Sequence, residues 1–251
     1  MPSPITLIIG AVPWEIKPII AAMKSPRKDT LKRFPFHRGK IEGHTVVTAF
    51  TGVGKTNAAM IATLFIAAFK PVRLVYTGSA ARLNPELRTG DVIIGKRTYH
   101  HDAGSWQEDG MVYRKIIGPV PKKQTHFRYD ADKVLLKAAI TAAKTHQTKE
   151  VTVNGSTYLP TVRPGLICAG DVFGMTAVKI ADIRAKLACD LVEMEGAAIG
   201  QVCHELEVPH IVIRGGSNQA QPSPGEDYKR LGQIAARQAA FFALHLFRSL
   251  A

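Results

Sequence analysis

The chain has 251 residues, 46% of them apolar and 21% charged, enough for a sizeable core in one large α/β domain or two small ones. Thirty-three basic residues against 20 acidic ones give a formal net charge of +13. These basic residues are scattered, with "PKKQTHFRYDADK" (121–133) the one notable cluster, and no zinc-finger, RNP-like or helix-turn-helix signature accompanies them, so nucleic acid is not expected as a partner. Cys168, Cys189 and Cys203 lack CxxC spacing and read as thiols of a reducing compartment, not as a disulfide framework or zinc site. The start, "MPSPITLIIGAVPWE", lacks the basic region of a signal peptide. The longest apolar helical stretch, 58–69, falls short of the roughly 20 residues that span a bilayer. The expectation is a cytoplasmic protein without a membrane partner.

"ITLIIGA" (5–11) is a continuous apolar run that predicts a buried strand. Helical periodicity follows over 14–23, where Ile16, Ile19, Ile20 and Met23 share a face and Pro18 is placed in the opening turn. "FHRGKIEGHTVVTAFT" (36–51) predicts a hairpin turning at Glu42-Gly43. "GVGKTNAAMIATLFIAAF" then opens a helix behind a glycine turn, and strands are predicted over 72–80 and 89–95. The stretch 99–129, polar and rich in Gly and Pro, reads as loop. Beyond it come a helix over 130–145, a strand over 163–170 and a helix over 175–188. "CDLVEME" (189–195) is a strand handing over to the helix "GAAIGQVCHEL", "PHIVIRGG" (209–216) the last strand, and "EDYKRLGQIAARQAAFFALHLF" the closing helix. Alternating strands and helices, with no repeat and no linker, predict one α/β domain over 1–251, with helices on both faces of a largely parallel sheet.

In such sheets ligands sit beyond the carboxyl ends of the strands. Here those ends read 10–15, 52–55, 77–80, 169–173, 193–195 and 214–218, and they supply carboxylates, a hydroxyl, an aromatic ring, an arginine and an amide. That inventory suits a polar small molecule with a ring. "FTGVGKT" is a decoy: a phosphate loop would need glycine at Ala49, so the segment reads as a glycine turn whose backbone amide could still face a ligand.

"IIGAVPWEI", "FTGVGK", "YTGSAARLNPELRTGDVIIG", "YHHD", "GLICAGDVF", "VEMEGAAIGQVCHE" and "VIRGGSN" occur in this order, within a similarity that runs from residue 5 to about 245. Together they resemble the purine nucleoside phosphorylase/nucleosidase superfamily, in particular its hydrolytic branch of methylthioadenosine/S-adenosylhomocysteine nucleosidases and futalosine hydrolases. The resemblance implies a single-domain three-layer α/β/α sandwich around a twisted, mixed, mostly parallel sheet, usually dimeric. It implies a small-molecule purine nucleoside as ligand and no cofactor or metal. Cleaving an N-glycosidic bond creates cationic character on the sugar and negative charge on the leaving base, and needs a base for water and a grip on both fragments.

By this resemblance Glu15 is the general base, with Ser79 and Arg214 holding the same water. Glu195 accepts hydrogen bonds from both ribose hydroxyls, and Met194 packs beneath the sugar. Alternation on a strand sends Glu193 to the same face as Glu195, opposite Met194, so its role is less defined. Phe173, beside Val172, stacks on the purine, while Gly196, Ala197 and Ala198 let the following helix pack close to the sheet. The 5′ end of the substrate is expected near Val12, Val53, the 99–117 loop and Tyr228. His101 and Asp102 of "YHHD" are expected to form a positioned structural pair.

The chain departs from the pattern at Asn218, where adenine-cleaving relatives carry an aspartate that protonates N7. An amide delivers no proton, and losing a general acid costs about 10²–10⁴-fold. It can instead donate toward both N7 and O6 of a 6-oxopurine. The expected function is therefore hydrolysis of a 5′-modified 6-oxopurine nucleoside such as futalosine. Methylthioadenosine/S-adenosylhomocysteine cleavage is the alternative. A phosphorylase and a weakened nucleoside-binding protein are further ones. Tyr76, where phosphorylases place a phosphate-binding arginine, favours water as the nucleophile, although Arg82 lies just beyond the loop.

Overall fold

The computed structural model describes residues 4–120, 123–221 and 227–250. The apolar run forms β1 (Ile5–Gly10), followed by α1 (Pro13–Ala22). Pro18 sits in the second turn of α1 and not the first, because the helix opens at Pro13. A strand that the sequence did not announce, β2 (Lys24–Leu31), pairs antiparallel with β3 (Phe34–Ile41). It is exposed almost throughout, so it carries no apolar alternation by which to be read. The expected hairpin is β3 with β4 (His44–Phe50), and α2 (Lys55–Phe69) and β5 (Arg73–Arg82) follow.

After β6 (Val92–His100) the region expected as loop folds into small ribbons. Strand β7 (Gly104–Gln107) pairs with β8 (Gly110–Tyr113) and β9 (Ile116–Ile117) with β10 (Gln124–Thr125), while β11 (Arg128–Asp130) joins β6. Pieces of two to four residues are too short to show a period. Helix α3 (Lys133–Ala143) starts at Asp132, whose carboxylate accepts from the amides of Val134 and Leu135. A second unannounced hairpin, β12 (Val151–Val153) and β13 (Ser156–Tyr158), precedes β14 (Val162–Ala169). The rest is α4 (Ala177–Leu187), β15 (Leu191–Glu193), α5 (Gly196–Glu205), β16 (His210–Gln219) and α6 (Asp227–Leu246). The expected start of the closing helix at Glu226 lies outside the described residues.

Ten strands share one mixed sheet. Its parallel parts are β4-β1-β5-β16 and β6-β14-β15, and antiparallel seams join β16 to β6 and β15 to β5. Those seams close β5, β15, β14, β6 and β16 into a ring, so the middle of the sheet curls on itself. Alternation along β1 feeds two cores. Leu7 and Ile9 face α2 and α5 with Val47, Phe65 and Ile199; Ile8 faces the opposite layer with Ile19, Val75 and Phe242 of α6. Helices therefore cover both faces of the sheet, and the carboxyl ends of β1, β5, β15 and β16 converge at one end. Among the described residues no helix is long and apolar enough to cross a membrane.

Candidate active site

Those strand ends frame a cleft with about 790 Å³ of empty space, part of it open to solvent, within the usual range for small-molecule sites. Its wall includes Glu15, Val53, Ser79, Val172, Phe173, Glu193, Met194, Glu195, Asn218 and Tyr228. Sequence positions from 15 to 228 are thus brought to one place.

Glu15, only 2% exposed, is held by four donors. Its Oε2 accepts from the amides of Ala11 (2.6 Å) and Val12 (3.3 Å), closing the first turn of α1. Its Oε1 accepts from the amide of Ser79 (2.7 Å) and, more loosely, from the Ser79 hydroxyl (3.1 Å). A buried carboxylate fixed this way presents one oxygen edge to the cleft in a defined direction. Gly78 makes the approach possible: a Cβ there would lie 2.2 Å from Arg214 Nη1 and 2.4 Å from the Glu15 carboxyl carbon.

Arg214 does not line the cleft. It is fully buried on β16, behind the wall, where Nη2 donates to Glu193 Oε2 and to Glu195 Oε2 (3.0 Å). Nη1 lies 3.7 Å from Glu15 Oε1, too far for a hydrogen bond. The guanidinium lies over the ring of Tyr76, 4.3 Å from its centroid. Burial works against its charge, but the Glu193, Glu15 and Glu195 carboxylates hold its pKa well above the ordinary value. Arg214 is thus a counter-ion to three carboxylates, while its Nη1, beside Glu15, has no hydrogen-bond partner among the described residues.

The pair that opens α5 divides its work. Glu193 accepts from the amides of Glu195 and Gly196 at the helix start, in addition to Arg214, so its oxygens are spent on positioning. Glu195 takes one donor on each oxygen, the Gly54 amide at 2.8 Å and Arg214, leaving each oxygen a lone pair for a hydroxyl. Gly54, with φ of 97°, supplies that amide from the turn before α2; the glycine segment faces the site through its backbone, as the sequence allowed. Burial first, then the neighbouring Glu193 charge, raises the Glu195 pKa to about 8, against the pull of Arg214.

Phe173 is 60% exposed, and its ring meets Tyr228 edge-on at 5.1 Å, so the two aromatic residues form an open corner of the cleft. Asn218 lies at the inner end, 7% exposed. Its Nδ2 donates to the Gln219 carbonyl (3.0 Å), and its Oδ1 lies 3.1 Å from the Ser217 hydroxyl. Val12, Val53 and Tyr228 reach the cleft as expected, but no described residue of 99–117 does. The expected His101–Asp102 pair is also not formed. Asp102 accepts from Lys55 Nζ (2.7 Å) and the Asp171 amide (3.0 Å), which ties α2 to the loop after β14, and neither His101 ring nitrogen has a partner among the described residues.

The sequence reading missed Trp14, Ser217 and Gln221 on the wall and the stacking of Tyr76 under Arg214. Trp14 was within reach, since it precedes Glu15 in the helix-opening turn; Tyr76 stood out only as a missing arginine. Arg82, the residue that complicated the choice of nucleophile, donates to the carbonyls of Ser217 and Leu87 and does not line the cleft.

The sequence profile of the phosphorylase superfamily matches residues 6–248. The chain belongs to that superfamily. Within it the chain stands with the nucleosidases. It is 34% identical over 231 residues to the 5′-methylthioadenosine/S-adenosylhomocysteine nucleosidase of Pseudoalteromonas translucida (strain TAC 125), covering 90% of this chain and 91% of that one. The corresponding enzyme of Neisseria meningitidis, solved with methylthio-immucillin-A, superposes with a TM-score of 0.82 at 32% identity, over 98% of this chain and 99% of that one. The futalosine hydrolase of Helicobacter pylori strain 26695 shares the fold, with a TM-score of 0.82 at 21% identity and 98% coverage of each chain.

Proposed function

We propose that this superfamily member is a purine nucleosidase that hydrolyses the N-glycosidic bond of a 5′-substituted adenine nucleoside of the methylthioadenosine/S-adenosylhomocysteine kind. The observation that carries the reading is the buried cluster of Glu15, Glu193 and Glu195 around Arg214 at the inner wall of the cleft. It pairs a fixed carboxylate that can take a proton from water with a second that can accept both ribose hydroxyls. Even with Glu195 protonated, as its pKa of about 8 implies near neutrality, Glu15 and Glu193 outnumber the one guanidinium and leave the pocket anionic, which favours a sugar that turns cationic as its bond breaks. Glu15 is the base; Ser79 orients it; Glu195 grips the sugar above Met194; Phe173 and Tyr228 flank the purine. The apolar side chains of Val12 and Val53 suit a 5′-thioether. The relatives' names support this substrate class over the 6-oxopurine expectation.

One observation favours that second reading. Asn218 is an amide whose Nδ2 is oriented by the Gln219 carbonyl, and it holds no acidic proton for N7. A 6-oxopurine nucleoside such as futalosine could use the amide as a donor toward N7 and O6. The purified protein, free of phosphate, is to be incubated with methylthioadenosine, S-adenosylhomocysteine, inosine and futalosine, and free base measured by chromatography. Adenine release supports the first reading, and hypoxanthine release alone supports the second. Turnover only when phosphate is added would sink hydrolysis, and binding without release would make the chain a nucleoside-binding protein.

A further inference from the structure

Between residues 24 and 40, Lys24, Arg27, Lys28, Lys32, Arg38 and Lys40, with Arg33 over the Phe34 ring, stand against one carboxylate, Asp29. This short segment carries nearly half of the chain's excess of +13. The strand register makes the imbalance sharper. Lys24 lies opposite Lys40, Arg27 opposite Arg38 and Lys28 opposite His37. Like charges directly opposite each other destabilise a strand pair. Asp29 does not relieve them, for it lies opposite Phe36 and accepts from the Thr30 amide. Lys24, Arg27, Lys28, Arg38 and Lys40 have no ion-pair partner among the described residues.

An edge strand uses charges and proline, here Pro26, to keep other sheets from pairing with it. That purpose is served by isolated charges and does not call for cations opposed across the strands. β2 runs for about 26 Å at the usual strand rise of about 3.3 Å per residue. No large apolar side chain is exposed between residues 4 and 50, so the face offers nothing to insert into a bilayer. None of these cations lines the cleft. Scatter along the chain argued against nucleic acid, but the pairing of β2 with β3 gathers the charges in space.

We propose that the β2/β3 face is a docking surface for DNA, holding the phosphate backbone through Lys24, Arg27, Arg38 and Lys40, apart from the nucleosidase cleft, with Lys28 on the opposite face of the ribbon. Bound phosphates lie between the opposed cations and relieve their repulsion. Binding of this kind is weak, indifferent to sequence and steeply dependent on salt.

The full chain is to be titrated onto a fluorescent duplex of about 20 base pairs between about 25 and about 200 mM salt, read by anisotropy. Vesicles of phosphatidylserine and phosphatidylcholine are to be tested in parallel by co-sedimentation. With about four phosphates neutralised, log affinity should fall against log salt with a slope near −3.6, at about −0.9 per phosphate. The double variant Arg27→Ala/Arg38→Ala should halve the slope to about −1.8 and weaken binding at least about tenfold, with base release unchanged. Arg27→Glu places a carboxylate opposite Arg38, so it should keep or raise Tm while weakening DNA binding, which separates docking from folding. No DNA binding at the lowest salt, binding that these variants leave intact, or stronger binding to the vesicles than to DNA would each overturn the proposal.

Discussion

Replacing Arg214 by methionine tests whether the guanidinium is what keeps three carboxylates buried together. Arg214 is fully buried, donates to Glu193 and Glu195, and lies 3.7 Å from Glu15. Methionine fills much of the volume but removes the only positive charge in the cluster. Breaking a buried ion pair by deleting one partner costs about 3–5 kcal/mol, because the remaining charges stay desolvated. In a chain of this size 1 kcal/mol moves Tm by about 2–4 °C, so a fall of about 6–20 °C is expected by calorimetry at pH 8. The carboxylates can escape the penalty by taking up protons, so the gap to the parent protein should narrow at pH 6. Adding Glu193→Gln to the variant should recover part of the loss. A Tm change of less than about 2 °C that is the same at both pH values would refute the account.

Glu15→Gln should lower kcat for base release about 10²–10⁴-fold; its one amide oxygen can accept from Ser79 or from Ala11 but not both, so Tm should also fall modestly, and activity within tenfold of the parent would remove Glu15 as the base. Asn218→Asp should raise adenine release about 10²–10⁴-fold if a proton at N7 limits the reaction, and steady-state rates on methylthioadenosine and inosine would show whether the gain is confined to adenine. Glu195 binds its proton more tightly folded, with a pKa of about 8, than unfolded at the ordinary 4.5, so its contribution to stability is lost as pH rises between those values. His100, His146 and His210, lowered to about 4 chiefly by burial, act in the opposite sense, but only below about 6.5. Tm should therefore decline between pH 6.5 and 8 in the parent and stay flatter in Glu195→Gln; equal slopes would show that Glu195 does not titrate there.

The main strands were legible because β1, β5 and β16 carry apolar runs closed by small residues, and the ordered motifs put Glu15, Ser79 and Asn218 near their ends and Glu195 just beyond β15. β2 was not, because an exposed edge strand need satisfy no apolar pattern. The seams of β16 with β6 and of β15 with β5, which curl the sheet, leave no local trace, since register is a property of pairs of distant segments. The same limit applies to Arg214. Its type and position pointed to the site, but whether it faces the cleft or lies behind it depends on packing against Tyr76. Asp102 was assigned to its sequence neighbour and is held by Lys55 instead.

The distribution of charge in the cleft decides where catalysis must come from. On the proposed binding mode, Asn218 brings no charge to the base side, whereas the Glu15, Glu193 and Glu195 cluster around Arg214 would face the sugar. Stabilisation is thus weighted toward the developing cation, and the leaving base must be neutralised by hydrogen bonds or by a proton from elsewhere. Adenine, a poor leaving group without protonation at N7, loses most from that imbalance, and a 6-oxopurine that accepts from the amide loses least. The ratio of the two rates in one protein therefore measures how much the missing acid matters. A parent protein that already cleaves methylthioadenosine as fast as it cleaves inosine would mean that the carboxylates on the sugar side carry the reaction by themselves.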